Sequence, residues 1–178
     1  DLIEYVSNDG LEIPAFLYRP NDIGDGKTPL VIYARANTKG LHVRGFYPYI
    51  QYWVHLGYTV IAPQVRGSAG LGKQYEFLNY GDWGGGDIDD FAYGAYYLAE
   101  KGLIDLDKVV MQGGSTGRYF VLAMTFRYPD LLSAAVCFYG CPDLLHTWSH
   151  RSGTSRPVLG DVVGGDRGGP DMAPEHWQ

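Results

Sequence analysis

Val109-Val110-Met111-Gln112-Gly113-Gly114-Ser115-Thr116-Gly117-Arg118-Tyr119-Phe120 is the stretch whose reading decides the fold. A short apolar run stops at a glycine pair, and a second apolar segment, Tyr119 to Phe126, opens just after Gly117. The stretch therefore reads as strand, sharp turn and helix. Residues 113 to 117 form a Gly-x-Ser-x-Gly pattern. Small neighbours at Gly113 and Gly117 let the backbone fold tightly enough to present a serine hydroxyl above a sheet. Ser115 is thus a candidate nucleophile. The competing reading is a glycine-rich turn whose serine caps the following helix. The strand before and the helix after favour the nucleophile.

Outward from this corner, strand and helix signals alternate. Asn8-Asp9-Gly10 is a turn between two β runs, Leu2 to Val6 and Leu11 to Tyr18, which read as a hairpin. Leu30 to Ala34 reads as a buried strand, Pro48 to Leu56 as a helix stopped by Gly57, and Tyr58 to Ala62 as strand. Ile88, Phe91, Ala92, Ala95 and Leu98 recur at helical spacing, with Gly102 as the stop. Asp87, Asp89 and Asp90 crowd the start of that helix, favourably placed against its dipole. Lys108 to Met111 is the strand that feeds the corner, Thr116 to Arg127 the helix behind it, and Ala134 to Phe138 the next strand. Repeated strand-helix-strand units predict an α/β fold, a mainly parallel sheet with helices on both faces. Residues 151–178 carry many glycines and prolines and little apolar periodicity, so an irregular tail is expected there. With no repeat or linker, residues 1–178 are expected to form one domain.

Composition narrows the chemistry. A chain of 178 residues, 46% hydrophobic and 19% charged, is sized for one core. Its net charge of -6 comes without a basic stripe, so no nucleic-acid partner is expected. No apolar run is long enough for a bilayer and no charged-then-apolar leader precedes the first strand, so no membrane partner is expected. The sequence starts at Asp1 and not at methionine, which leaves room for chain upstream. Cys137 and Cys141 lie too far apart in extended chain for a bridge and read as reduced thiols, which favours the cytoplasm. The three aspartates match no calcium loop, and no phosphate-binding lysine pattern follows Gly84-Gly85-Gly86. Neither a metal nor a nucleotide is expected, and no cofactor.

Several segments carry a resemblance. In order they are Ser7-Asn8-Asp9-Gly10-Leu11-Glu12-Ile13-Pro14, then Arg66-Gly67-Ser68-Ala69-Gly70-Leu71-Gly72, then Trp83-Gly84 with Asp87-Ile88-Asp89-Asp90. Lys101-Gly102-Leu103-Ile104-Asp105, the serine corner itself and Arg127-Tyr128-Pro129-Asp130-Leu131 complete the set. Together they resemble the α/β-hydrolase catalytic domain of the prolyl oligopeptidase family, in particular its dipeptidyl-peptidase and acylaminoacyl-peptidase branches. The resemblance covers most of residues 4 to 143. It implies a serine hydrolase acting through an acyl-enzyme on short peptides, with activated esters and lactones open to the same chemistry. Ser115 would be the nucleophile, and the amide of Thr116 one donor of the oxyanion hole. The second donor belongs to the loop after Leu30 to Ala34. There the family carries a His-Gly-Gly-Pro-like stretch or a tyrosine, whereas this chain reads Arg35-Ala36-Asn37-Thr38. The Arg35 side chain or the Ala36 amide takes the role, or Tyr33 if the register slips. Arg118 stands where a glycine is usual, as a binder of an acidic group or as a helix-surface cation. Arg66 reads either as a tie to loop carbonyls or a carboxylate beneath the site, or as a solvated residue. The glycines at 67, 70 and 72 permit a folded loop, and Trp83 can anchor it.

In this fold the acid and the histidine follow the nucleophile, beyond further strands. The resemblance therefore implies a domain incomplete at its C-terminal end, stopping before the family's acid and histidine and lacking the propeller found in many relatives. Within the sequence, Asp166 or Asp161 with His176 follows Ser115 in the right order, and His146 and His150 also lie downstream. Each competes with the reading of a solvated histidine. His42 and His55 precede the nucleophile and read as loop and helix residues. Two functions stay open, a serine hydrolase and a catalytically incomplete fragment serving as a binding or oligomerising module. An open sheet edge predicts a homo-oligomer.

Overall fold

A computed structural model describes residues 1–21, 26–35 and 40–139. In chain order the elements are β1 (Leu2–Val6), β2 (Glu12–Tyr18), β3 (Thr28–Ala34), α1 (Pro48–His55), β4 (Thr59–Pro63), α2 (Lys73–Phe77), α3 (Gly86–Glu100), β5 (Ile104–Gly114), α4 (Thr116–Arg127) and β6 (Ala134–Phe138). The strands form one sheet in the order β1-β2-β4-β3-β5-β6. The hairpin partner β2 runs antiparallel to both β1 and β4, and the remaining pairings are parallel.

Burial explains the layering. Strand β4 is buried at every position, and Leu30, Val31 and Ile32 of β3 are fully buried, as the central strands of a sheet covered on both sides must be. On one face, Ile88, Phe91, Ala95 and Leu98 of α3 join Phe120, Val121 and Met124 of α4 over Leu30, Ile32, Ile61 and Met111. On the other, Ile50 of α1 packs on Val31 and Val60. Helices on both faces of a mainly parallel sheet are thus observed. Among the described residues no helix is long and apolar enough to cross a membrane.

Two elements depart from the sequence reading. Strand β5 starts at Ile104 and not at Lys108, with a register shift opposite Thr28 and Leu30. Its charges, half-buried Asp105 and exposed Asp107 and Lys108, hide the first half of the strand from any apolar pattern. The short helix α2 was not expected, because it buries none of its residues and is entered through Gly72 at φ 98°.

The acidic residues stand at the start of α3, as the sequence suggests, and they are buried there. Asp87, Asp89 and Asp90 are 0%, 2% and 0% exposed, and each has a specific role in packing. Arg66, placed just past the end of β4, is buried too, which removes the solvated reading. Its Nε and Nη2 donate to Asp90 at 3.0 and 2.7 Å, and its backbone amide donates to the same carboxylate at 2.8 Å. Nη1 reaches Asp9 in the β1-β2 turn at 2.7 Å. Asp89 accepts from Arg127 at the end of α4, from the Tyr128 hydroxyl and from Asn8. The first hairpin, α3 and α4 are therefore tied together by two carboxylates. Asp87 accepts from the Gly84 amide at 2.9 Å and has no cation partner among the described residues, and burial pushes its carboxyl well above the usual range.

Removing one partner of a buried pair leaves the other charge stranded, so Arg66→Ala is expected to lower the unfolding free energy by about 3–5 kcal/mol in urea titrations. Asp9 adds a pH signature. The Arg66 hydrogen bond holds the Asp9 carboxyl below its ordinary value of 3.8. Its contribution is complete above that value and fades as pH falls through the lower folded value. Stability below about pH 4 should therefore decline more steeply in the wild type than in Asp9→Asn.

Candidate active site

The corner is built by close approach of backbone. A Cβ on Gly113 would lie 2.4 Å from the Gly117 carbonyl oxygen, and a Cβ on Gly117 would lie 2.3 Å from that of Ala34 and 2.8 Å from that of Arg35. No side chain fits at either place. Strand β5 can therefore turn into α4 while α4 starts directly against the end of β3. Between the two glycines Ser115 takes φ 53° and ψ -117°, a conformation that L-residues avoid. Its amide is shared between the carbonyls of Phe138 and Tyr139, at 3.2 and 3.0 Å, which fastens the corner to the end of β6.

Ser115 is exposed. It occupies the N-cap position of α4, yet its side chain makes no capping hydrogen bond. The reading of a serine that caps the helix therefore fails, and the hydroxyl is left for solvent. Thr116 is the first residue of α4, and an amide at that position has no intrahelical acceptor. An amide free at a helix start is the kind of donor that developing negative charge takes.

Around the corner the described residues arrange themselves unevenly. Tyr33, Tyr49, Phe138 and Tyr139 line a cavity of about 110 Å³ against Gly113 and Gly114. Burial pushes the Tyr33 phenol up, so that it stays a protonated donor at neutral pH. Next to this cavity an apolar groove of about 490 Å³ shares Tyr49, Gln112 and Phe138 and runs on along Tyr52 and Trp53. Tyr49 and Tyr139 carry no sequence signal of this role. Strand and helix periodicity place them at element ends and say nothing of which end faces the corner.

Arg35 lines a separate cavity of about 20 Å³ with Gln64, Ser68 and Phe120, room for one water, and its Nη1 is buried without a hydrogen-bond partner among the described residues. Ala36, Asp161, Asp166, His146, His150, His176 and Cys141 lie outside the described residues, as does the tail 151–178. His42 lies in a loop, as its sequence suggests, and is buried there. It is 3% exposed, its Nε2 meets the Tyr18 hydroxyl at 2.9 Å, and its ring stacks on Tyr47. Burial, helped by Arg35, lowers its pKa to about 4, so the ring is neutral. His55 sits in the last turn of α1. Among the described residues neither histidine bonds to Ser115. Trp83 is buried against Tyr119 and Phe120 of α4, behind the corner helix.

A strained, exposed serine between two obligatory glycines, at the C-terminal edge of a sheet with this strand order, is a specific arrangement. A model of the prolyl oligopeptidase family matches residues 44–157, more than half of the chain. The chain belongs to the prolyl oligopeptidase family. Dipeptidyl aminopeptidase BIII of Pseudoxanthomonas mexicana is 29% identical over 152 residues, which is 82% of this chain and 22% of that protein. Acetylxylan esterase A of Aspergillus awamori is 25% identical over 170 residues, 91% of this chain and 52% of the esterase. The crystal structure of a puromycin hydrolase superposes with a TM-score of 0.85 at 25% identity, over 92% of this chain and 26% of that one. The fold is that of the α/β-hydrolase domain of prolyl oligopeptidase family enzymes. The chain spans about a fifth of the length of the dipeptidyl peptidases that it matches.

The backbone geometry at the corner makes a distinct stability prediction. Ser115→Gly removes the positive-φ penalty while Ser115→Ala keeps it, so the glycine variant should be more stable than the alanine variant by about 1–2 kcal/mol in urea unfolding. Equal stability of the two would show that the conformation carries no strain.

Proposed function

We propose that the chain is a serine hydrolase in which Ser115 is acylated by short peptides or by ester and lactone substrates. The observation that carries the reading is the Ser115 conformation, φ 53° at an exposed N-cap whose side chain caps nothing. In the proposed reaction Ser115 Oγ attacks the carbonyl carbon and passes its proton to a base, and the Thr116 amide stabilises the oxyanion. The leaving amine or alcohol takes the proton as the tetrahedral intermediate collapses, and water then opens the acyl-enzyme by the reverse sequence. Aimed oxyanion donors are a principal term, each contributing about 3–4 kcal/mol to lowering the barrier. The second donor comes from the end of β3. Ala36 and the Arg35 guanidinium are candidates, and the place of Tyr33 beside Gly113 and Gly114 supports the tyrosine. The base is His176, oriented by Asp166.

The named relatives support acyl transfer more than they support one substrate. They include a dipeptidyl aminopeptidase, an acetylxylan esterase and a puromycin hydrolase. The step common to amide and ester cleavage is transfer of an acyl group to serine. Esters are the better first substrates, because an alkoxide leaves with less help from a general acid than an amine does.

A second reading is favoured by one observation, that neither described histidine bonds to Ser115. The chain would then be a binding or oligomerising module of hydrolase fold. Among the described residues strand β6 ends the sheet, with four of its five residues exposed, an edge suited to self-association.

A fluorophosphonate probe separates the two readings. The hydrolase reading expects covalent labelling of the folded chain that disappears in Ser115→Ala. A folded sample left unlabelled at millimolar probe rejects it. The oligomer expectation has its own measurement, since sedimentation velocity at micromolar concentrations should show a dimer or larger species, and a monomer throughout would remove it.

A further inference from the structure

Two arginines near the C-terminal edge of the sheet are treated in opposite ways. Arg66 is neutralised by Asp9 and Asp90. Arg118, three residues past Ser115, buries Nε and Nη2 with no hydrogen-bond partner among the described residues. Buried guanidinium groups are otherwise paired, because taking their N–H groups out of water uncompensated is costly. Its position adds to the imbalance. Arg118 stands in the first turn of α4, where the helix dipole is positive and disfavours a cation. An anion at this place would relieve both terms.

Location follows from one hydrogen bond and one electrostatic influence. The Arg118 amide donates to the Ser115 carbonyl at 3.2 Å, so the residue belongs to the same turn as the nucleophile candidate. Its charge also acts on the Cys137 thiol, lowering a pKa that burial raises. Cys137 pairs with Gly113 in the β5-β6 register and is exposed. The guanidinium therefore lies on the β6 side of the corner. Arg35 is on the other side, its carbonyl against Gly117.

We propose that Arg118 forms a carboxylate-binding subsite beside Ser115, between the start of α4 and the end of β6. Under the hydrolase reading, on which its role in substrate choice rests, the subsite selects acyl substrates that carry a carboxylate. Guanidinium binds carboxylate through paired N–H donors, and the two nitrogens left free are suited to that fork. The carboxylate could belong to the acyl group itself, to an acidic side chain, or to a free peptide C-terminus.

Cys137 supplies a reporter that does not depend on Ser115. Iodoacetate and iodoacetamide differ in presenting a carboxylate or a carboxamide to the same thiol, and peptide mass spectrometry reads the rates at Cys137 alone. The ratio of the iodoacetate rate to the iodoacetamide rate should fall about fivefold or more in Arg118→Gln, be largely retained in Arg118→Lys, and fall with added salt in the wild type. Arg118→Met serves if the glutamine variant does not fold. An unchanged ratio in a folded neutral variant overturns the subsite. The acyl-enzyme mass at Ser115 is then compared for p-nitrophenyl butyrate against p-nitrophenyl hemisuccinate, and for peptide p-nitrophenyl esters ending in glutamate against glutamine. A further pair, peptides with free or amidated C-termini, is compared as competitors of that acylation. Preference for the charged member of any pair, lost in Arg118→Gln, supports substrate selection and identifies the source of the carboxylate. Equal acylation by every pair overturns selection. Absence of acylation by all esters, with the Cys137 ratio still dependent on Arg118, supports the subsite and sinks the hydrolase reading instead.

Discussion

The structure depends on a distance too short for a methyl group. Behind Ser115 the ends of β3 and β5 and the start of α4 approach so closely that no Cβ is accommodated at Gly113 or Gly117. The geometry of the corner follows. With α4 seated against the Ala34 and Arg35 carbonyls, the chain must reverse within one residue, and that residue is driven to positive φ. Its amide can then reach only outward, to the end of β6, which it holds through Phe138 and Tyr139. Strain at one serine is sustained because contacts from three strands over-determine it.

Charge supports this corner from behind. Asp89 and Asp90 are buried because Arg127 and Arg66 meet them with fork geometry. The same two carboxylates receive Asn8 and Ser7 from the first hairpin. A hairpin distant in sequence is thereby fixed to α3, which packs with α4 across Phe91 and Phe120. Gly86 completes the fit, since a Cβ there would press on the Arg66 guanidinium at 2.6 Å. Matched pairs make the buried charge of α3 a specifier of packing. The exceptions are then informative. Asp87, with no cation partner among the described residues, answers with a raised pKa, and Arg118 buries two nitrogens that find no partner there.

The corner was legible in sequence because its determinants are local. Glycines at 113 and 117, an apolar run before and another after are all that the turn requires, and the ends of α4 and β6 follow from the same pattern. Strand order was not legible. That β4 lies between β2 and β3 depends on crossovers, to which periodicity within a segment is blind. The first half of β5 was hidden by its charges, and α2 by burying nothing. Arg66 showed the limit most clearly. Its neighbours Gly67 and Ser68 say loop, and only Asp9 and Asp90, far along the chain on either side, reveal that it is buried. The site divides in the same way. Ser115 and Thr116 are placed by neighbours in sequence, whereas Tyr33, Tyr49 and Tyr139 converge from three separate elements.

Under the proposed chemistry, this convergence bears on which substrates the site can tell apart. The hollow beside Gly113 and Gly114 is walled by aromatic rings, and the one amide in it, that of Gln112, receives the Trp53 indole N–H at 2.6 Å. What remains for an acyl group is the ring faces and the tyrosine hydroxyls, and against the faces each buried methylene contributes about 0.8 kcal/mol and grades substrates by size. Such contact sees the acyl half alone. It cannot distinguish an ester from an amide with the same acyl group, because the two differ in the leaving group and in how much that group needs a proton. Choice between peptide and ester therefore rests with the group that protonates the leaving atom, and choice among acyl groups with the aromatic wall and, under the Arg118 proposal, with the charge beside it.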